Sequence, residues 1–288
     1  MDISQRKEAL HILNTPSSEI DTLLNYTFNA FVSCVPDDND SFMERWKPIA
    51  KCADIDGAAV ALNRYLAPKE LQIQFSSPQS IEMKLFQSVG GIIPIIEVKN
   101  TTDFEAIIRN IVYKGKDVPN IVEMGASFAF GKYIRFIVLS DKPYANIPAN
   151  VMGLDERVWK EKSLIIRRHH ECTHYFTKRF FNSSKNNLHD ELIADFCGFY
   201  AAFGEYKADW FLRCMGLIES PDGSKGRIRL YTSGLSNQAI RVVARLAKIV
   251  TMSLEVWSRS AQFIILSETA RLKILCEKEL LAYPNVLT

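Results

Sequence analysis

What this 288-residue chain lacks narrows its class. It has no C-x-x-C pair. Its six cysteines (Cys34, Cys52, Cys172, Cys197, Cys214, Cys276) stand apart, without the spacing of a disulfide framework, so free and mostly buried thiols are expected. It lacks an excess of charge of either sign. With 35 Lys and Arg against 33 Asp and Glu, the net charge of +2 does not steer it toward nucleic acid or a membrane surface. The local basic pairs Arg167-Arg168 and Lys178-Arg179 read as a solvated helix face. No run approaches the roughly 18 apolar residues of a membrane span; GGIIPIIEV at 90–98 is far too short. The opening MDISQRKEALHIL is neither a signal nor a transit peptide, and no propeptide is evident, so a cytoplasmic location is expected. No repeat or low-complexity tract is present.

What remains is an ordinary globular composition, 47% hydrophobic and 24% charged, with enough chain for a substantial core. Helical spacing marks ALHIL, then 19–35 and 58–66, with a polar loop at Asp37 to Asp40. LQIQF at 71–75 alternates like a strand. IIPIIEV carries Pro94 and so reads as an edge or interrupted strand. A helix is expected over 102–115, with Thr102 as cap and Gly115 as stop. ASFAFGKYIRFIVLS at 126–140 reads as two strands around Gly131-Lys132. Nothing breaks a helix from Asp155 to Phe181, and helices dominate after Leu188. This order predicts an α+β fold, with a mixed region of unknown role at 1–120 and a mostly helical region at 121–288.

Within RRHHECTHYFTKRFF at 167–181 lies His170-Glu171-Cys172-Thr173-His174, an H-E-x-x-H. On a helix the two histidines stand one turn apart, about 5–6 Å between Cβ atoms, a spacing from which both imidazoles can reach one Zn2+. Glu171 is turned about 100° around the axis from His170, where it can act as general base toward an activated water. By chance this pattern arises in about one chain of this length in a hundred. Ile166, His170, Thr173, His174, Thr177 and Phe181 form one stripe, with Arg168, Tyr175, Lys178 and Arg179 mostly elsewhere. A third ligand comes from NNLHDELIADFCGFYAAF at 186–203. Asn187 is a good N-cap, and Asp190 falls at the third helical position. Glu191 and Asp195 are one turn apart; Glu191 can complete a His2Glu set, and Asp195 can reach back to a ligand imidazole. The bland alternative for both is an exposed acidic face.

HECTH followed by ELIAD resembles the gluzincin, thermolysin-type zinc metallopeptidases over roughly residues 125–205. The resemblance implies a zincin-like fold, a small sheet packed on an active-site helix. It makes His170, His174 and Glu191 zinc ligands, Glu171 the base and Asp195 the partner of His170. It further implies a strand edge for extended substrate, a role KYIRFIVLS could supply, and an oxyanion-stabilising residue beyond the second helix. Tyr231 is chosen for that role, with His189, Arg227 and Arg229 as the other candidates. The short gap between His174 and Glu191 suggests a compact loop. The expected partner is a peptide or small amide substrate.

Three other readings compete. A di-iron bundle would need two Glu-x-x-His pairs, but the five histidines (His11, His169, His170, His174, His189) supply one. A His-Asp phosphohydrolase could use His189-Asp190 but leaves Glu171 unexplained. The last is a zincin-shaped binding protein without catalysis, or a hydrolase of a small non-peptide amide or ester. A purely structural site has no use for Glu171, and neither Cys172 nor Cys197 is placed to close it.

Overall fold

A computed structural model describes all residues except 29–30, 37, 132–133, 183–186 and 287–288. The chain is α+β, with one four-stranded sheet among the described residues. The strands are β1 (Ile81–Ser88), β2 (Gly91–Val98), β3 (Ala126–Phe130) and β4 (Arg135–Ser140). The helices are α1 (Ile3–Ile12), α2 (Ile20–Thr27), α3 (Asn39–Asp56), α4 (Ala58–Tyr65), α5 (Thr101–Ile107), α6 (Glu156–Phe181), α7 (Leu188–Phe203), α8 (Ala208–Met215), α9 (Ile228–Tyr231), α10 (Asn237–Ser258), α11 (Ala261–Ile265) and α12 (Glu268–Glu277). Among the described residues, no helix is long and apolar enough to cross a membrane. Among the described residues, no disulfide joins the cysteines.

The chain divides into two compact units, Val35–Phe176 and Met1–Cys34 with Thr177–Thr288, so α6 passes from one to the other. The boundary expected near residue 120 falls within the first of these. Its sheet takes β1 and β2 from before that point and β3 and β4 from after it.

In the unit Val35–Phe176 the strand order is β1-β2-β4-β3. Pairs β1/β2 and β3/β4 are antiparallel, and β2/β4 is parallel. Alternation along the strands gives the sheet two apolar faces. Ile96, Val98, Phe136 and Val138 pack into a core with Phe42 and Trp46 of α3, Leu62 of α4, and Phe104 and Ile107 of α5. On the other face Ile93, Ile95, Ile137 and Leu139 meet Cys172 and Tyr175 of α6. The sheet is therefore covered on both sides, which is why FIVL at 136–139 is apolar throughout. In the other unit, α7, α8 and α10 pack around Phe196, Phe199, Phe211 and Leu254.

Several expectations give way here. LQIQF forms no strand: Lys69–Leu71 is a 3-10 turn, and Ile73 is tied to Asn63 by N–H···Oδ1 at 2.9 Å. The strand ahead of the β2 hairpin is IEMKLFQS instead. Despite Pro94, β2 is interior. Its parallel ladder with β4 starts at Ile95↔Ile137, one residue beyond the proline, so the missing N–H falls outside that ladder. The part of KYIRFIVLS that forms β4, Arg135–Ser140, is interior too, and the open edge beside it belongs to β3. Asn100, not Thr102, caps α5, which ends at Ile107 and continues as a π-helical turn to Val112; Gly115 follows at φ +76°. The helix expected over 19–35 stops at Thr27. Asp37, Lys132 and most of the link between α6 and α7 lie outside the described residues.

Candidate metal centre

The histidine half of the site belongs to the unit Val35–Phe176. The start of α6 is held by Asp155, whose carboxylate accepts from the N–H of Arg157 at 2.9 Å. No Gly or Pro interrupts the 26 residues that follow. One turn apart on this helix, His170 is buried and His174 half-buried, and their Nε2 atoms face each other at 3.0 Å. Nδ1 of His170 meets the hydroxyl of Tyr144 at 3.0 Å. That tyrosine sits in a pinned loop. The N–H of Tyr144 donates to Ser163 at 2.9 Å, and indole Nε1 of Trp159 donates to the carbonyl of Ile147 at 2.7 Å. Ala145 and Asn146 are held at positive φ, 51° and 56°. Glu171, next in the chain, is half-buried.

The basic pairs do not form a solvated face. Arg167 is only 3% exposed, and its guanidinium donates to the carbonyls of Ser140 (2.9 Å) and Lys142 (3.0 Å), clamping the chain after β4. Arg168 pairs with Glu97 of β2 at 2.6 Å, and Arg179 is 9% exposed. A helix packed on more than one side needs these long side chains as internal hydrogen-bond donors. Tyr175 likewise faces the sheet.

The carboxylate half belongs to the other unit. Asn187 caps α7 as expected, its side chain accepting the N–H of Asp190 at 3.0 Å. Asp190 in turn receives the Thr177 hydroxyl at 3.4 Å. Glu191 and Asp195 are 4% and 0% exposed, which rules out the exposed acidic face. Both pair with Arg227: Nη2 reaches Glu191 Oε2 at 2.8 Å, and Nη1 reaches Asp195 Oδ2 at 3.0 Å. The third guanidinium edge, Nε, donates to Tyr231 Oη at 2.9 Å. Burial raises the Tyr231 phenol well above its ordinary pKa, opposed by the nearby Arg227 and reinforced by Glu191 and Asp195.

The remaining candidates separate. His189 is packed against Phe31 and meets Tyr283 Oη at 3.1 Å, and Asp190 serves the start of α7, so His189-Asp190 is spent on structure. Arg229 is exposed. Tyr144 has no counterpart in the sequence reading, because nothing in DKPYANIP marks one residue as the partner of a histidine 26 positions on. Among the described residues, His170, His174 and Glu191 form one group able to hold a metal ion.

A profile of a family of unknown function (DUF7005) matches residues 64–134 and 130–284, well over half of the chain, so the chain belongs to that family. No curated protein and no solved structure matches.

Proposed function

We propose that this chain is a zinc-dependent hydrolase with a zincin-like catalytic region, acting on peptide bonds or a related amide. In this reading His170, His174 and Glu191 hold the ion, and Glu171 is the general base. The observation that carries it is the convergence of ligand atoms. One from each of the three residues lies within 4.8 Å of the others. Zn–N distances of about 2.0–2.1 Å in a tetrahedral site require two imidazole nitrogens about 3.3 Å apart; the two Nε2 atoms stand at 3.0 Å. Two imidazoles and a carboxylate are also the donor set of a catalytic rather than a closed structural site.

A zinc ion there supplies Lewis acidity toward a carbonyl oxygen and toward water. The chain's own groups then divide the work. Glu171 accepts a proton from the attacking water as the new C–O bond forms, and returns it to the amide nitrogen as the C–N bond breaks. Tyr144 keeps the His170 ring oriented from its Nδ1 side.

The test is metal analysis of purified wild type beside His174→Ala and Glu191→Ala, with peptide and small-amide turnover measured for Glu171→Gln. The reading expects about one zinc per chain in wild type, loss in both ligand variants, and zinc without turnover in Glu171→Gln. A wild type that takes up no zinc when it is offered would overturn it.

A further inference from the structure

We infer that Arg227 is a positioning residue for the metal ligand Glu191, fixing which carboxylate oxygen turns toward the ion; this rests on the metal reading above. The guanidinium is a planar fork, and all three of its edges are used. Nη2 holds Glu191 Oε2, Nη1 holds Asp195 Oδ2, and Nε holds Tyr231 Oη. With Oε2 held by the fork, a metal ion at this site would be bound through the other carboxylate oxygen.

Charge argues the same way. Glu191 and Asp195 are buried one turn apart on an apolar helix, an arrangement that repels itself unless a cation lies between them. Arg227 supplies a single positive charge for the two.

The chain around Arg227 is built to hold it there. Gly216, at φ +77°, ends α8, and Gly226, at φ +91°, directly precedes Arg227. Their backbones touch: a Cβ on Gly226 would lie 2.7 Å from the carbonyl oxygen of Met215 and 2.8 Å from Cα of Gly216. The intervening turn is closed on itself. Ser220 Oγ donates to Asp222 at 3.0 Å and accepts the N–H of Lys225 at 3.2 Å, while Asp222 takes the N–H of Ser224 at 3.0 Å. Neither glycine can carry a side chain, so the approach of the two loops fixes where the arginine starts.

This arrangement revises the role of Tyr231. Expected as an oxyanion donor, it is buried; its hydroxyl accepts from Arg227 Nε and itself donates to Glu191, so it braces that carboxylate both directly and through Arg227.

The test compares wild type, Arg227→Met and Arg227→Lys by chelator competition for zinc and by the visible spectrum of the cobalt-substituted proteins. Arg227→Met is expected to weaken zinc binding about 10–100-fold. Its cobalt bands should also shift, because Glu191 is freed to bind through both oxygens. Arg227→Lys restores the charge without the fork, so its affinity should recover while the altered spectrum persists. That split separates positioning from charge, and the lysine variant carries the test if the methionine variant fails to fold. If wild type holds zinc and Arg227→Met matches it within about threefold, with an unchanged cobalt spectrum, the inference falls alone. If wild type holds no zinc, the metal reading falls and takes this one with it.

Discussion

Protonation of His189 should set a limit on stability in acid. Its imidazole is enclosed by Phe31 and Tyr283, with ring centroids at 5.3 and 5.6 Å. Burial lowers its pKa to about 4, only partly offset by a backbone hydrogen bond at Leu275. The unfolded chain binds this proton near pH 6.5. Between those values the unfolded state carries more protons, so folded stability declines as pH falls from 6.5 toward 4, and the loss is complete below that. A gap of about 2.5 pH units, at about 1.4 kcal/mol per unit, makes the full contribution about 3 kcal/mol; between pH 7 and 4.5 about 2.5 kcal/mol of it is lost. Against a typical total of about 5–15 kcal/mol this is a large share. The assay is urea denaturation at both pH values for wild type and His189→Gln. Other groups titrate in both proteins, so the difference between the two pH dependences isolates this histidine. Wild type should lose about 2.5 kcal/mol more than the variant. Parallel losses would mean that the ring is protonated in the folded protein, and the burial argument would be wrong.

Other consequences can be checked separately. Tyr144→Phe removes only the hydroxyl that meets His170 Nδ1; zinc affinity measured by chelator competition should drop about 10–100-fold, and an unchanged value would show that the ring needs no such partner. Gly226→Ala combines positive φ with a clash against backbone at 2.7 Å. It should cost more than about 2 kcal/mol in thermal or urea unfolding, and a neutral result would place slack where the two loops meet. Arg167→Met strips donors from the carbonyls of Ser140 and Lys142. A loss of about 2–4 kcal/mol is expected by denaturation, since hydrogen bonds from a charged donor contribute about 1.5–3 kcal/mol each.

Local rules carried much of the sequence reading, and non-local packing accounts for what it missed. Asn187 was legible as a cap because capping is settled within four residues, and the unbroken α6 because nothing in it disfavours a helix. β4 announced itself by apolar content, but its interior place depends on β2, a partner forty residues away in the chain. Pro94 misled for the same reason: its effect depends on where a neighbouring ladder begins. The pairing of Glu191 and Asp195 with Arg227 joins residues more than thirty positions apart, and only the chemical type of each was visible beforehand. Arg167 and Arg168 defeat composition altogether, because an arginine written beside another looks the same whether it ends in water or on a carbonyl.

The mixed sheet also has a kinetic side. β1 and β2 are joined by Val89 and Gly90 alone, and β3 and β4 by residues 131–134, so each antiparallel pair closes a short loop. The parallel seam is different in kind: Ile95 meets Ile137, which is 137 − 95 = 42 residues later in the chain. Closing that longer loop costs more entropy before any contact rewards it, and the connection carries α5 and β3 within it. The two hairpins should therefore protect their amides from exchange early in refolding, with the β2–β4 hydrogen bonds appearing later. His170 and His174 lie on the helix that covers this seam, so the histidine half of the proposed site should be packed in place only after the β2–β4 pairing has formed.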